Sequence, residues 1–253
     1  MSKALLFVNG GLGLKVIQIL SSSTKFTIAG VIINAPEKRN PNYISQLREV
    51  YPTLSLFEYA EDLWKKAEFQ EVLSESKLAV SALFGHLIPS DVLEFFGSNI
   101  LNLHPSLLPL GRGADPIAWG LIENYRQGAT VHVIQEKLDS GPIIYQSEIK
   151  VAFGQTAGEI YELAIEELAR LFQKFVENWP RPIELVSQKG ASSYHKSADL
   201  EALRNGLMQG NEVIEYSLRV IQALTFANGR AARLRLSNGE LWDVSLSVSR
   251  VEE

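Results

Sequence analysis

The first hundred residues hold four short segments that are apolar almost throughout: ALLFV (4–8), FTIAGVII (26–33), LAVSALF (78–84) and NILNL (99–103). A strand with one wet face alternates polar and apolar residues, so uninterrupted runs like these mark strands covered on both faces. LSLFE (54–58) is a fifth candidate strand, while LKVIQIL (14–20) and AEDLWKKAEFQEVLSES (60–76) carry helical periodicity. Strands and helices in alternation predict an α/β fold: a Rossmann-like, mainly parallel sheet with helices on both faces.

The texture changes after residue 128. ATVHVIQE (129–136) and PIIYQSEIKV (142–151) alternate apolar and polar residues, which predicts a half-exposed antiparallel strand pair. A long helix follows over 156–178, stopped by Trp179-Pro180. From about residue 181 the chain is loop-rich, with a helical NEVIEYSLRVIQAL (211–224) and a hairpin pattern around Ser237-Asn238-Gly239. This divides the chain into a main domain, 1–190, and a small C-terminal α+β annex, 191–253, with a helix and a β-hairpin.

Composition excludes several function classes. A net charge of −5 gives no basic footprint for nucleic acid. The absence of cysteine removes disulfides, thiol nucleophiles and thiolate metal sites. The four histidines show no H-x-x-x-H or H-E-x-x-H spacing, so no metal is expected. The apolar run at the N-terminus is too short for a signal peptide, and no stretch approaches a membrane span. A cytoplasmic protein that acts neither on nucleic acid nor at a membrane is the expectation.

The chemistry-bearing stretch is NILNLHPSLLPLGRGADPIAW (99–119). Asn99 and Asn102 belong to the end of a buried strand, and His104 follows at the sheet edge where open α/β folds bind ligands. Asn102 and His104 are two apart and share one face of the strand. Pro105 and Pro109 stiffen the following loop, and Gly111 and Gly113 permit a tight path. An amide donor beside an imidazole suits attack on a carbonyl, with Asn102 on the oxyanion and His104 moving a proton. Asp139, in EKLDSGPII, is the candidate for orienting that histidine, although Asp-Ser-Gly-Pro is equally a turn sequence.

Gly10-Gly11-Leu12-Gly13 follows the first strand but matches the dinucleotide fingerprint poorly, and Asn34 stands where an acidic residue would close it. A tight turn opening a helix is the favoured reading, and that helix N-terminus can also hold an anionic group of a substrate. His132 and His195 read as structural histidines, and Trp64, Trp119, Trp179 and Trp242 as packing residues, with Trp119 the one placed to wall a pocket. ALFGHLIP (82–89), read unaided, is a strand running into a helix with His86 in the loop.

LNLHPSLLPLGRGADP together with TVHVIQEKLDSGPIIYQ resembles the folate-dependent formyltransferase family over roughly residues 1–180. That family includes glycinamide ribonucleotide, methionyl-tRNA and nucleotide-sugar N-formyltransferases and the formylation domains of peptide synthetases. The resemblance makes Asn102, His104 and Asp139 a catalytic trio. It implies 10-formyltetrahydrofolate as formyl donor, held by Phe84, Gly85, His86, Leu87 and Ile88 and by Gln135, Glu136 and Leu138 near Asp139. Gly10, Gly11, Ser106, Arg112, Gly113 and Trp119 are the implied substrate contacts.

Within the family, methionyl-tRNA enzymes carry a longer C-terminal domain and a basic early insertion, hydrolases an extra N-terminal domain, and the purine-pathway enzyme no annex. With the acidic balance, this favours a nucleotide-linked amino sugar as acceptor. Aminoacyl, peptide or other small amines come second, and a donor-binding protein or hydrolase third. SSYHKSADL (192–200) resembles a segment of the sugar enzymes, which sets His195 apart from His132. The folate contacts implied by the resemblance lie before residue 150, whereas the C-terminal part varies between branches, so the annex is expected to define the acceptor. The hairpin's free strand edge adds an expectation of homodimer pairing.

Overall fold

The computed structural model describes residues 1–152, 155–181, 183–205, 214–226, 231–235 and 239–245. The ALLFV run lies in β1 (Ser2–Val8), whose side chains from Ala4 to Val8 are fully buried. The chain continues through α1 (Gly10–Ser21), β2 (Phe26–Ile33), α2 (Tyr43–Val50), β3 (Leu56–Glu58), α3 (Ala67–Glu75), β4 (Leu78–Ala82), α4 (Ser90–Phe96) and β5 (Ile100–His104). Then come β6 (Arg112–Gly113), α5 (Pro116–Ile122), β7 (Gln127–Val133), β8 (Ile143–Ile149) and α6 (Ala157–Asn178). The C-terminal part contains β9 (Tyr194–His195), α7 (Ser197–Asn205), α8 (Ile214–Leu224), β10 (Ala232–Arg235) and β11 (Leu241–Val244).

Seven strands form one sheet in the order β3-β2-β1-β4-β5-β7-β8. The pairs from β3 to β5 are parallel, and β7 runs antiparallel to β5. This is the expected α/β, Rossmann-like architecture. Helix α6 opens on a reciprocal cap that closes its first turn. Thr156 N–H donates to Glu159 Oε2 at 2.7 Å, and Glu159 N–H to Thr156 Oγ1 at 3.3 Å.

Four local expectations need correction. Strand β7 is buried at every position, so both of its faces are covered, and of the pair only β8 alternates. The segment 60–76 is not one helix. Trp64 turns inward against Phe7 and Phe69, Lys66 is extended, and a 3-10 turn (Leu63–Lys65) precedes α3. Asn99 ends a 3-10 turn (Gly97–Asn99) rather than starting the strand. Trp242 is 57% exposed and so is no packing residue among the described residues. Residues 211–213 of the predicted last helix, and Ser237 and Asn238 of the hairpin turn, lie outside the described residues.

The chain divides into two compact units. The first comprises Met1–His104, Thr130–Gln146 and Glu167–Gln188. Its core joins Leu5, Phe7, Ile32, Phe69, Ala79 and Ile100. Each large apolar side chain buried there contributes roughly 1.5–3 kcal/mol over exposure. The second comprises Pro105–Ala129, Ser147–Glu166 and Lys189–Glu253, with a core of Ala118, Ile122, Leu200, Val220, Ala223 and Leu224.

Candidate active site

The antiparallel register of β5 and β7 sets Asn102 directly opposite His132 and His104 opposite Thr130. Directly opposed residues in a sheet extend from the same face with their Cβ atoms close together. Asn102 Nδ2 lies 3.2 Å from His132 Nε2. The tautomer of His132 follows from its other side. Nδ1 lies 2.9 Å from the Val133 carbonyl oxygen, which can only accept, so Nδ1 carries the proton and Nε2 presents a lone pair. Asn102 therefore turns its NH2 group toward His132.

The other amide hydrogen of Asn102 goes to Asp139, with Nδ2 3.2 Å from Oδ1. Asp139 Oδ1 is 3.6 Å from His132 Nε2, and Asp139 Oδ2 is 3.8 Å from His104 Nδ1. One carboxylate thus stands among two imidazoles and an amide, with His104 5%, His132 1% and Asp139 8% exposed. The Asp139 backbone has a φ of 50°, the left-handed region that Asp and Asn tolerate better than most residues. Ser140 Oγ donates to Lys137 O at 2.7 Å, and Gln188 Nε2 donates to both Asp139 O and Gly141 O at 2.8 Å. Gly141 is obligatory, since a Cβ there would fall 1.9 Å from the Val133 carbonyl oxygen.

Both hydrogens of the Asn102 amide are committed, so donation to an oxyanion requires exchange of one of these bonds. His104 has a carboxylate oxygen 3.8 Å from Nδ1, placed to steady positive charge on the ring once it takes up a proton.

The residues expected to hold a folate surround the C-terminal end of β4 and follow β7. Phe84 packs against Phe7 and Tyr59 with centroids 5.4 and 5.9 Å apart. His86 does not face outward as a simple loop residue. Its ring stacks on Tyr59 at 3.6 Å, and its Nε2 accepts the Ala35 N–H at 3.4 Å. Burial and the nearby Lys38 ammonium together hold its pKa below the ordinary imidazole value. Asn34 Oδ1 accepts the Gly85 N–H at 3.0 Å, and Lys38 Nζ donates to Gly85 O at 2.7 Å, tying the 34–38 loop to the 83–86 loop. Ile88 packs at the edge of the core, whereas Leu87 and Leu138 are 78% and 42% exposed, and Gln135 and Glu136 are exposed. Gly10, at a φ of 59°, and Gly11 open α1, with nothing within 4 Å of where a Gly11 side chain would begin.

The second unit holds the other expected substrate residues. Arg112 and Gly113 pair with Tyr194 and His195 as strands β6 and β9. The Gly111 N–H donates to Ser193 Oγ at 2.7 Å, and Ser106 Oγ to Leu110 O at 2.9 Å. Gly113 has a φ of 87°, and a Cβ there would meet the His195 carbonyl oxygen at 2.2 Å. Trp119 stacks on His195 at 3.7 Å, with the planes 6° apart. Glu123 Oε1 is 2.9 Å from His195 Nε2, off the line of a hydrogen bond.

With this geometry established, a family model described as formyl transferase matches residues 4–174. The chain belongs to the formyl transferase family. Among curated relatives, methionyl-tRNA formyltransferase of Bacillus cytotoxicus is 32% identical over 155 residues, covering 59% of this chain and 49% of the relative. The chain thus matches about half the length of that relative. Among solved structures, a sugar N-formyltransferase from Shewanella sp FDAARGOS_354 superposes with a TM-score of 0.82 at 20% identity, covering 100% of both chains. The formyltransferase PseJ from Anoxybacillus kamchatkensis matches with a TM-score of 0.54 at 26% identity, over 83% of this chain and 93% of that one. PseJ was solved with UDP-4,6-dideoxy-4-formamido-L-AltNAc and tetrahydrofolate.

In this formyltransferase-family chain the structure brings Asn102, His104 and Asp139 together, and His132 and Gln188 stand beside them. His132 was legible only in part, as a histidine on the strand carrying the Asp139 turn. Gln188 lies in a segment without periodicity, and no local signal singles it out. Among the described residues no group of three or more His, Asp or Glu side chains is arranged to hold a metal ion, and no helix is long and apolar enough to cross a membrane.

Proposed function

We propose that this chain is an N-formyltransferase that moves a formyl group from 10-formyltetrahydrofolate to a primary amine on a nucleotide-linked sugar. The observation that carries the reading is the buried carboxylate of Asp139 shared by Asn102, His132 and His104. Exposed Leu87 and Leu138 offer apolar contact to a flat heterocycle beside the backbone of residues 84–88.

In this reading the neutral amine nitrogen bonds to the formyl carbon, and the carbonyl π pair moves onto oxygen. Asn102 releases one existing hydrogen bond and donates to that oxyanion. His104 receives the proton lost by the amine, and Asp139 steadies the resulting imidazolium. Collapse of the oxyanion then breaks the bond to N10 of the donor, which takes the proton back from His104. His132, protonated on Nδ1, keeps the Asn102 amide in the donating orientation.

We assign the transfer chemistry to residues 1–190 and acceptor choice to residues 191–253. The backbone pairing of residues 193–195 with the 111–114 loop, and the Trp119–His195 stack, support a role for that segment in shaping acceptor contacts. The nucleotide sugar is favoured by the PseJ likeness and by the −5 net charge, which weighs against a polyanionic acceptor. The second reading, formylation of a charged initiator tRNA, is favoured by the 32% identity to a methionyl-tRNA formyltransferase. Incubation with 10-formyltetrahydrofolate and, separately, UDP- and dTDP-linked amino sugars, methionyl-tRNA or no amine distinguishes them by product mass. A formamido sugar supports the first reading, formyl-methionyl-tRNA the second, and formate without an amine marks a hydrolase.

A further inference from the structure

We propose that Gln188 is a positioning residue for formyl transfer, fixing the turn that carries Asp139; this rests on the transfer reading above. Gln188 Nε2 sits 2.8 Å from Asp139 O and 2.8 Å from Gly141 O, so its two amide hydrogens clamp the carbonyls on either side of Ser140. The turn needs such a clamp. Asp139 is held at a φ of 50°, which most side chains avoid, and residues 135–138 before it are exposed. Gly141 lies flat against the Val133 carbonyl on one side of the turn. On the other, Ile143 and Val186 exchange two backbone hydrogen bonds of 2.8 and 2.9 Å, bringing residues 186–188 alongside. The segment after α6 therefore reaches back to the acid that contacts Asn102 and His104.

The side-chain type is specific. Two carbonyl oxygens can only accept, and a planar NH2 group supplies two donors from one atom. Glutamate has the same shape and no donor, and alanine has neither. Through these two bonds Gln188 holds the backbone of the turn and with it the position of the Asp139 carboxylate.

Selective 15N labelling of histidine reports on this directly, because the chain has four histidines, and His104 and His132 lie 3.8 and 3.6 Å from the Asp139 carboxylate. In Gln188→Ala and Gln188→Glu, the ring nitrogen signals of His104 and His132 shift, while those of His86 and His195 stay in place. With whichever acceptor the incubation assay turns over, kcat falls on the order of 10- to 100-fold and acceptor KM is unchanged, since a catalytic group displaced by about 1 Å costs up to that much. The proposal is overturned if the His104 and His132 signals do not move, if all four move together in both variants, or if the loss falls on acceptor KM. Should the wild-type protein transfer no formyl group, the histidine spectra still decide the role of Gln188, and only the functional reading fails.

Discussion

Asn102 and His132 face each other across the β5–β7 pair with Nδ2 3.2 Å from Nε2, and the carbonyl behind His132 decides which of the two donates. The amide of Asn102 is thereby oriented before any substrate arrives, so that donating to an oxyanion costs the exchange of one hydrogen bond and no rotation of the amide plane.

Removing either partner of the proposed chemistry should be severe. Asn102→Ala and His104→Ala are each expected to lower kcat by about 10²–10³, the effect seen when one oxyanion donor is lost. Folate affinity, measured by fluorescence quenching, should change little. Wild-type turnover in either variant removes that residue from the mechanism.

Asp139→Asn separates charge from shape. Asparagine tolerates the left-handed backbone at this position, so the turn should survive and thermal stability should hold. Turnover should still collapse, because the neutral amide no longer stabilises the His104 imidazolium. Full activity with every acceptor would reduce Asp139 to a turn residue.

His132→Phe keeps a ring in the buried strand and deletes the lone pair that faces Asn102. A drop in kcat of roughly tenfold is expected, about the size of one net hydrogen bond of 1–1.5 kcal/mol. Asn102→Ala in that background should add less than it does alone, which a double-mutant cycle reads out.

His86 predicts a pH dependence of stability. Its folded pKa is lowered, so the unfolded chain binds that proton more readily than the folded one. The contribution is present above the ordinary imidazole value near 6.5 and is lost as pH falls through it. In His86→Ala the decline of unfolding free energy between about pH 7 and 5 should be shallower. An NMR titration of His86 with a midpoint at or above 6.5 refutes the shift.

Gly113→Ala tests the second unit. The new Cβ would collide with the His195 carbonyl at a φ that alanine rarely adopts, so the β6–β9 pairing should open. Acceptor Kd should rise with donor binding intact, as isothermal titration of each ligand would show.

Much of this was legible in the sequence because the signals are local. Uninterrupted apolar runs gave the buried strands, and the spacing of Asn102 and His104 put both on one face. The segment 129–136 reads as half-exposed in sequence because alternation reports polarity and not what covers each face. Gln127, Thr130 and His132 are polar yet buried. His132 could not be ranked above an ordinary histidine until the register placed it opposite Asn102. Gln188 acts across 49 positions of sequence separation, beyond any motif. Trp242 shows the reverse limit, since a large apolar residue states a preference for burial and not its fulfilment.

The antiparallel register that sets Asn102 against His132 also acts as a ruler. A strand's side chains alternate between faces with a period of two, so sliding β7 by one residue would swing His132 to the opposite side of the sheet. Such a slip would replace the imidazole facing Asn102 by Val131 or Val133, with every side chain intact. The Asn102–His132 pairing is therefore more vulnerable to a one-residue insertion between β5 and β7 that the loop fails to absorb than to many substitutions at its own neighbours. Length, and not composition, is the quantity the 105–126 connection has to conserve.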